Sequence, residues 1–299
     1  MPRFILYIIN PISGTRTKKD LQAFIEKSTA ERKFAFEITH SVPGGDYRFL
    51  EPLIREKQVT DIVIAGGDGT VNQVIGSLMH LPVNFGIIPC GSGNGLAYTA
   101  GIPKNPAAAL DLVFRGTPKP TDGFFVNDIF ACMLTGLGFD AKVAHDFAQQ
   151  PTRGLSTYVK QIFRNFFSAK AWPFHIKLAD QELNIPAYFI SIANSNQFGN
   201  NFRIAPQASL RDGLLDIVIV TDQSKTSFIF NTIKQITGRN KLVSGTLPVD
   251  KKGIIYFRTD RLFIENTGLA PMHIDGDPAP TPVSLDIRIH PLCFNLIEP

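Results

Sequence analysis

Two glycine-rich turns are the first places in this sequence where chemistry could be done. Gly66-Gly67-Asp68-Gly69-Thr70 follows the apolar run Ile62-Val63-Ile64-Ala65, and Gly91-Ser92-Gly93-Asn94-Gly95 follows Phe85-Gly86-Ile87-Ile88-Pro89. Glycine permits positive φ and lets the backbone come close to a ligand. After the first turn, Val71, Val74, Ile75, Leu78 and Met79 recur at helical spacing. A helix starting there offers N–H groups without intrahelical partners and the positive end of its dipole. Together these suit an anion, above all a phosphate. Thr70 has the hydroxyl of a helix cap. Asp68 suits either an Asx turn or the ordering of a metal-bound water. Two such turns on successive strands would meet at one edge of a parallel sheet, where open α/β folds bind ligands.

A second candidate lies far downstream. Asp275-Gly276-Asp277 sets two carboxylates about one glycine. A carboxylate there could take the proton of an attacking hydroxyl, although Asp-Gly is also a common hairpin turn. The six histidines form no group with ligand spacing, and Cys90, Cys132 and Cys293 suggest neither a metal site nor a disulfide framework. A reducing compartment is the simplest setting for three such thiols.

The elements that must position these residues change character part-way along the chain. Up to about residue 120 the rhythm is strand, turn, helix. Phe4 to Ile9 reads as the first strand, and Leu21, Phe24 and Ile25 mark a helix. Phe34 to Thr39 is a second strand, 47–57 a helix with Pro52 early in it, and Pro106 to Phe114 another helix. Beyond Pro118 strands dominate: Phe124 to Leu134, Phe174 to Leu178, Tyr188 to Ala193, Leu214 to Val220, Ile254 to Arg258 and Leu262 to Glu265. Two more are expected in the tail, from Val283 and from Leu292. Helices are expected at 154–169 and 225–237. The pattern predicts a doubly wound α/β domain over 1–122 and a β-rich, antiparallel sandwich domain over 123–290, with a C-terminal strand, 291–299, able to return to the first.

Composition agrees with two globular domains. Of 299 residues, 44% are hydrophobic and 19% charged, and the formal net charge is +4. That mild basicity suits an anionic ligand or membrane surface and is too weak to argue for nucleic acid. The apolar run at the N-terminus ends after six residues at Asn10-Pro11, so it reads as a strand rather than a leader, and no stretch is long enough to span a membrane.

Five motifs in order resemble the diacylglycerol kinase catalytic-domain superfamily. It includes sphingosine kinases and bacterial lipid kinases and shares an NAD-kinase-like fold. Asn10-Pro11 with Ser13-Gly14 resembles its opening motif, and Gly66 to Asn72 its GGDGT motif. Gly91 to Asn94 resembles its second nucleotide turn, Asp212 to Asp216 its DGLLD strand start, and Asp275 to Asp277 its DGE motif. The resemblance implies an ATP-dependent lipid kinase working on Mg²⁺-bound ATP, with the active site in the cleft between the domains. It implies nucleotide contacts from Asn10, Ser41 (or Thr39 in its place), Gly66, Gly67, Asp68, Gly69, Thr70, Asn72, Gly91, Ser92 and Asn94. It makes Asp275 the general base. It gives Ser209, Asp212 and Leu214 to a structural Mg²⁺ and Asp277 to the catalytic one. The acceptor would be diacylglycerol, a sphingoid base or a related lipid, met by a cytoplasmic enzyme at the inner face of the membrane, without nucleic acid. The oligomeric state stays open, a homodimer included.

Three residues depart from the family pattern. Thr15 stands where a lysine is usual, leaving Arg16, Lys18 and Lys19 as the nearby cations. Gly95 stands where many diacylglycerol kinases carry Asp, and Asp277 replaces the usual glutamate. These departures keep two alternatives open: an NAD-kinase-like small-molecule kinase, and a binding protein that has lost catalysis. The apolar face Leu155, Val159, Ile162, Phe163, Phe166 and Phe167, flanked by Lys160 and Arg164, suits either core packing or a membrane interface. Asp122, at the domain junction, is a candidate hinge hydrogen-bonding residue.

Overall fold

A computed structural model describes residues 3–11, 18–139, 141–142, 146, 170–197, 204–221, 227, 235, 242–243 and 253–299. The expectations for Ser13 to Arg16 and for the helices at 154–169 and 225–237 lie essentially outside these residues, as do residues 198–203 of the stretch 194–206, which resembles the family's glycine-and-asparagine loop. The chain divides into two compact units, residues 1–121 with 292–299, and residues 122–291.

The first unit is an α/β layer. In chain order it contains β1 (Phe4–Ile9), α1 (Lys18–Glu31), β2 (Ala35–His40), a 3-10 turn (Arg48–Leu50) leading into α2 (Glu51–Glu56), β3 (Asp61–Gly66), α3 (Asp68–Leu78), β4 (Asn84–Pro89), α4 (Gly95–Thr99) and α5 (Pro106–Arg115). The four strands are parallel in the order β2-β1-β3-β4. Asn295 and Leu296, near the C-terminus, add a further parallel partner beside Asn84 and Phe85. Strands buried on both faces need continuous apolar runs: β3 is buried throughout and β1 nearly so. Ile5, Tyr7, Ile9, Val63, Ala65 and Ile88 pack with Ile25, Leu110 and Val113. Burial pushes the Tyr7 phenol up to about 12, and its oxygen lies 2.8 Å from Thr29 Oγ1, so the hydroxyl is not orphaned in this core. Pro52 falls in the first turn of α2, where a missing N–H costs nothing. Asn105 caps α5 by accepting from the Ala107 and Ala108 amides.

The second unit is β-rich. Its strands are β5 (Thr117–Val126, which begins in the first unit), β6 (Ile129–Ala131), β7 (Leu134–Gly138), β8 (Trp172–Lys177), β9 (Glu182–Ala193), β10 (Leu215–Thr221), β11 (Ile254–Thr259), β12 (Arg261–Glu265), β13 (Met272–Ile274), β14 (Asp277–Ala279) and β15 (Ser284–Glu298, which ends in the first unit). β9 is the centre, pairing antiparallel with β7, β8 and β10. Alternate residues of β8, β9, β10 and β12, among them Phe174, Ile176, Leu183, Ile185, Ile217 and Ile264, fill one core.

Two strand assignments differ from the sequence reading. The expected strand from Phe124 to Leu134 is a hairpin, β5–β6, followed by β7. Asn127 takes φ 54° at its tip, and its side-chain oxygen accepts from Asp286 N while its own N–H goes to Asp286 O. Asn tolerates the left-handed region because its side chain bonds locally. The tail is one 15-residue strand rather than two. The chain passes Pro291 by placing Leu292 at φ 49°, a local irregularity that does not end the strand.

Candidate functional site

In the first unit the sheet order places four loops side by side. β1 and β3 are neighbours although β2 lies between them in sequence, so the connection order reverses there, the position where ligands bind in open α/β sheets. Asn10 follows β1, Ser41 follows β2, Gly66 to Thr70 follow β3, and Gly91 to Asn94 follow β4. Backbone bonds carry the alignment past the strand ends: Asn10 N to Ala65 O, Ser41 N to Ile9 O and Cys90 N to Gly66 O, all 2.8–2.9 Å.

The two glycine turns touch through their backbones. A Cβ on Gly91 would lie 2.6 Å from Gly67 Cα, and one on Gly67 would lie 3.1 Å from Gly91 Cα. The glycines are therefore required by each other's approach. Asp68 ties the turns together. Its Oδ2 accepts from Asn94 N at 2.6 Å and its Oδ1 from Gly95 N at 2.8 Å. The carboxylate of the first turn thus caps the short helix that begins after the second. Asn94, at φ 60°, closes its own turn: Oδ1 accepts from Gly91 N and Nδ2 donates to Gly91 O.

Thr70 does not cap α3. The N-cap is Gly67, which has no side chain for the purpose, and the Thr70 hydroxyl, one turn inside, accepts from Asn10 Nδ2 at 2.8 Å. That bond joins the loops on the two sides of the sheet's reversal point. The first intrahelical bond of α3 is Val71 N to Gly67 O, so the amides of its first turn precede the helical ladder, as an anion site needs. Asn72 is half-buried on α3, and Ser92 is exposed at the second turn.

In the second unit Asp275 and Gly276 are the two-residue turn of the β13–β14 hairpin, both at positive φ (49° and 87°), as the common Asp-Gly hairpin turn demands. The turn also carries a buried carboxylate in a cradle. Asp275 Oδ2 accepts from Cys132 N at 2.9 Å, and Oδ1 accepts from Met133 N at 3.0 Å and Leu134 N at 2.8 Å. The Cys132 thiol lies 3.4 Å from Oδ2. His273 is buried beside it and shapes the turn by accepting from Gly276 N. Asp277 is exposed.

The loop expected to hold a structural metal starts β10. Ser209 Oγ accepts from Arg211 N, and Asp212 Oδ1 from Leu214 N. Asp212 Oδ2 lies 3.6 Å from Arg258 Nη1. The donors are hard oxygens of the kind Mg²⁺ takes, but a guanidinium already faces the carboxylate, so the arrangement as it stands does not fit a divalent ion. No cluster of three or more His, Cys, Asp or Glu suited to a metal occurs among the described residues. Arg258 also pairs with the fully buried Asp216 at 3.2 Å, and the Tyr256 hydroxyl donates to Asp216. Burial pushes Asp216 upward against these partners. Asp122 pins the same loop: its buried Oδ2 accepts from Gly213 N, and its N–H donates to Leu210 O.

Sequence reasoning noted Asp122 only as a hinge, named Asn194 only as the first residue of a stretch, 194–206, that resembles the family's glycine-and-asparagine loop, and gave no role to Cys132 or Arg258.

Comparison with known proteins shows where this architecture belongs. Residues 5–126 match the diacylglycerol kinase catalytic domain, and residues 134–298 match the YegS C-terminal NAD kinase beta sandwich-like domain. The chain belongs to the YegS and diacylglycerol kinase-like family of lipid kinases. It is 27% identical over 244 residues to a Chromohalobacter salexigens protein named "Probable lipid kinase YegS-like", covering 79% of this chain and 75% of that one. It is 26% identical over 291 residues to a Bacillus subtilis protein named "Diacylglycerol kinase", covering 90% and 88%. A crystal structure of a diacylglycerol kinase from Bacillus anthracis shares the fold, with a TM-score of 0.73, 22% identity and coverage of 100% and 97%. Among the described residues no helix is long and apolar enough to cross a membrane.

Proposed function

We propose that this lipid kinase transfers the γ-phosphoryl group of ATP to a hydroxyl of a membrane lipid, reached by peripheral contact at the cytoplasmic face. The observation that carries the ATP side is the row of loops at the carboxyl edge of β2-β1-β3-β4, knit by Asn10–Thr70 and by Asp68 to Asn94 and Gly95. Phosphoryl transfer asks for phosphates held in place and charge neutralised, more than for covalent help from the protein. The first-turn amides of α3 would hold the phosphates, and Asn10, Ser41, Asn72 and Ser92 the rest of the nucleotide. Mg²⁺ arriving with ATP supplies the charge neutralisation, with Asp277 the exposed carboxylate nearest in sequence to the base.

Asp275 is assigned to the acceptor side. Three backbone N–H groups hold its carboxylate oriented. A further contact, the Cys132 thiol, is a weak donor at long range. A lipid hydroxyl can displace it on Oδ2, donate there, and lose its proton as its oxygen attacks phosphorus. Gly95 in place of the common Asp favours a sphingoid base or another long-chain alcohol over diacylglycerol.

The test is radiolabel transfer from ATP to phosphatidylcholine vesicles doped with dioleoylglycerol or with sphingosine, for wild type and Asp275→Ala. Transfer to lipid by wild type, lost in the variant, is expected. Equal turnover by both removes Asp275 from the mechanism. No turnover by either, with ATP binding retained, favours a binding protein, and transfer to NAD alone favours the small-molecule kinase.

A further inference from the structure

The cradle that holds Asp275 is itself held from behind. Asn194, the residue after β9, is fully buried. Its Nδ2 donates to Cys132 O at 3.0 Å and to Asp122 O at 2.8 Å. Its backbone N–H goes to Met133 O at 2.8 Å, joined there by Ser195 N at 2.9 Å. Two consecutive peptide units are therefore gripped on both edges. The unit between Cys132 and Met133 gives its N–H to Asp275 and its carbonyl to the Asn194 side chain. The unit between Met133 and Leu134 gives its N–H to Asp275 and its carbonyl to the Asn194 backbone.

An amide whose carbonyl is hydrogen-bonded is the more polarised donor at its N–H, and a peptide plane fixed on one edge is fixed on the other. Asn194 thus sets both the direction and the strength of the bonds to the Asp275 carboxylate. The side chain cannot be read the other way round. Both partners are carbonyls, so the atom facing them must be the amide nitrogen. That leaves Asn194 Oδ1 buried without a hydrogen-bond partner, a cost that a side chain serving only to fill space would not carry.

The second amide hydrogen extends the grip. Asp122, whose carbonyl receives it, holds the loop before β10 through Leu210 O and Gly213 N. One buried amide therefore fixes the Asp275 cradle and the segment at 209–214 relative to each other, within a single unit.

We propose that Asn194 is a positioning residue for Asp275, acting through the peptide units of Cys132, Met133 and Leu134. The proposal rests on the assignment of Asp275 to the acceptor side of the reaction, and its test separates the two. The first measurement is the ¹H–¹⁵N spectrum of the full-length protein, wild type against Asn194→Ser and Asp275→Asn. The serine variant keeps one donor and removes no backbone bond. The Met133 and Leu134 amide protons are expected downfield in wild type; the Met133 proton should move upfield in both variants, and the Leu134 proton, whose peptide carbonyl keeps its bonds from the Asn194 and Ser195 backbone, only in Asp275→Asn. In Asp275→Asn the Asn194 side-chain amide protons are expected to move in turn, a reading that needs no change at Asn194. The second measurement is turnover: Asn194→Ser is expected to lower kcat at least tenfold with the KM for ATP within twofold.

A Met133 amide that stays in place in Asn194→Ser, in a protein with an otherwise native spectrum, overturns the proposal, whatever the activity. So does a fall in kcat that comes with an equal rise in the KM for ATP. If Asn194→Ser does not fold, unmoved Asn194 side-chain protons in Asp275→Asn overturn it. A wild-type protein inactive on every vesicle overturns the kinase reading while leaving the spectral comparison intact.

Discussion

Replacing Asp68 by alanine isolates what the first glycine turn does for the second. The substitution removes two bonds from a carboxylate to backbone N–H groups, at 2.6 and 2.8 Å. Bonds to a charged partner contribute about 1.5–3 kcal/mol each. The site is half-buried, which weakens them, and the two share one carboxylate, so they do not add in full. A combined loss of about 3 kcal/mol follows, which is about two orders of magnitude in a local opening equilibrium. The assay is native-state hydrogen exchange at the Asn94 and Gly95 amides, without nucleotide and in the presence of a chelator. Protection there should fall about a hundredfold in Asp68→Ala while β1 and β3 change little. Asp68→Glu should not restore it, because a carboxylate one methylene further out cannot face both amides with the same geometry. If protection at Asn94 and Gly95 is unchanged without metal, the clamp is not the role of Asp68, and a role confined to ordering metal-bound water takes its place.

Gly91→Ala should separate the two turns, because its Cβ meets the Gly67 backbone rather than a movable side chain. ATP affinity measured by calorimetry should fall at least tenfold with unit-two strands unchanged in their exchange. Tyr7→Phe should cost about 1 kcal/mol by denaturant titration through loss of the bond to Thr29, and no tyrosinate absorbance from Tyr7 should appear below about pH 11. Arg258→Gln leaves Asp216 buried without its cation and should cost about 2–3 kcal/mol at pH 7. Asp216 is raised in the folded protein by burial, so its contribution to stability is most favourable below the unfolded carboxylate range and declines as pH rises through the folded value. The variant raises it further, so its deficit should be largest at neutral pH and shrink toward pH 4, as read by denaturant midpoints across that range.

The elements of the first unit were legible because each signal is local. A β-branched run followed by three glycines in five residues and a helical stripe can hardly be read otherwise, and β3 and α3 lie where that pattern puts them. The second unit was legible as a class but not strand by strand. The Asn127 turn has no glycine or proline to announce it, so β5, β6 and β7 merged in the sequence reading. Pro291 looked like a terminator, and only the pairing on either side keeps β15 continuous. The three-residue strands β13 and β14 are too short for periodicity to show. Partners were the least legible of all. Asp68 finds Asn94 only because β3 and β4 are adjacent, and Asp275 finds residues 132–134 only because β13 pairs with β7. Those are facts of sheet order, which the sequence states nowhere in one place.

The same sheet order explains why Asp68 and Asp275, read as chemistry, and Asp122, read as a hinge, are found gripping backbone. Asp68 holds residues 94–95, Asp122 holds Gly213, and Asp275 holds residues 132–134. A carboxylate among N–H donors is held immobile, which is also what a phosphoryl-transfer site asks of its charged groups, since reorganising them during the reaction would add to the barrier. Structural and catalytic readings of these residues therefore do not compete. Asp275 Oδ2 also lies 3.4 Å from the Cys132 thiol, a weak donor, and in the proposed reaction a substrate hydroxyl takes that position without displacing a backbone bond. Cys132→Ala should accordingly leave the fold and the cradle amides in place and leave kcat within about threefold of wild type, the loss of a weak donor being worth well under 1 kcal/mol. A Cys132→Ala protein that folds and keeps its cradle resonances but loses turnover altogether would mean that the thiol, and not the position on Oδ2 that it occupies, is what the reaction uses.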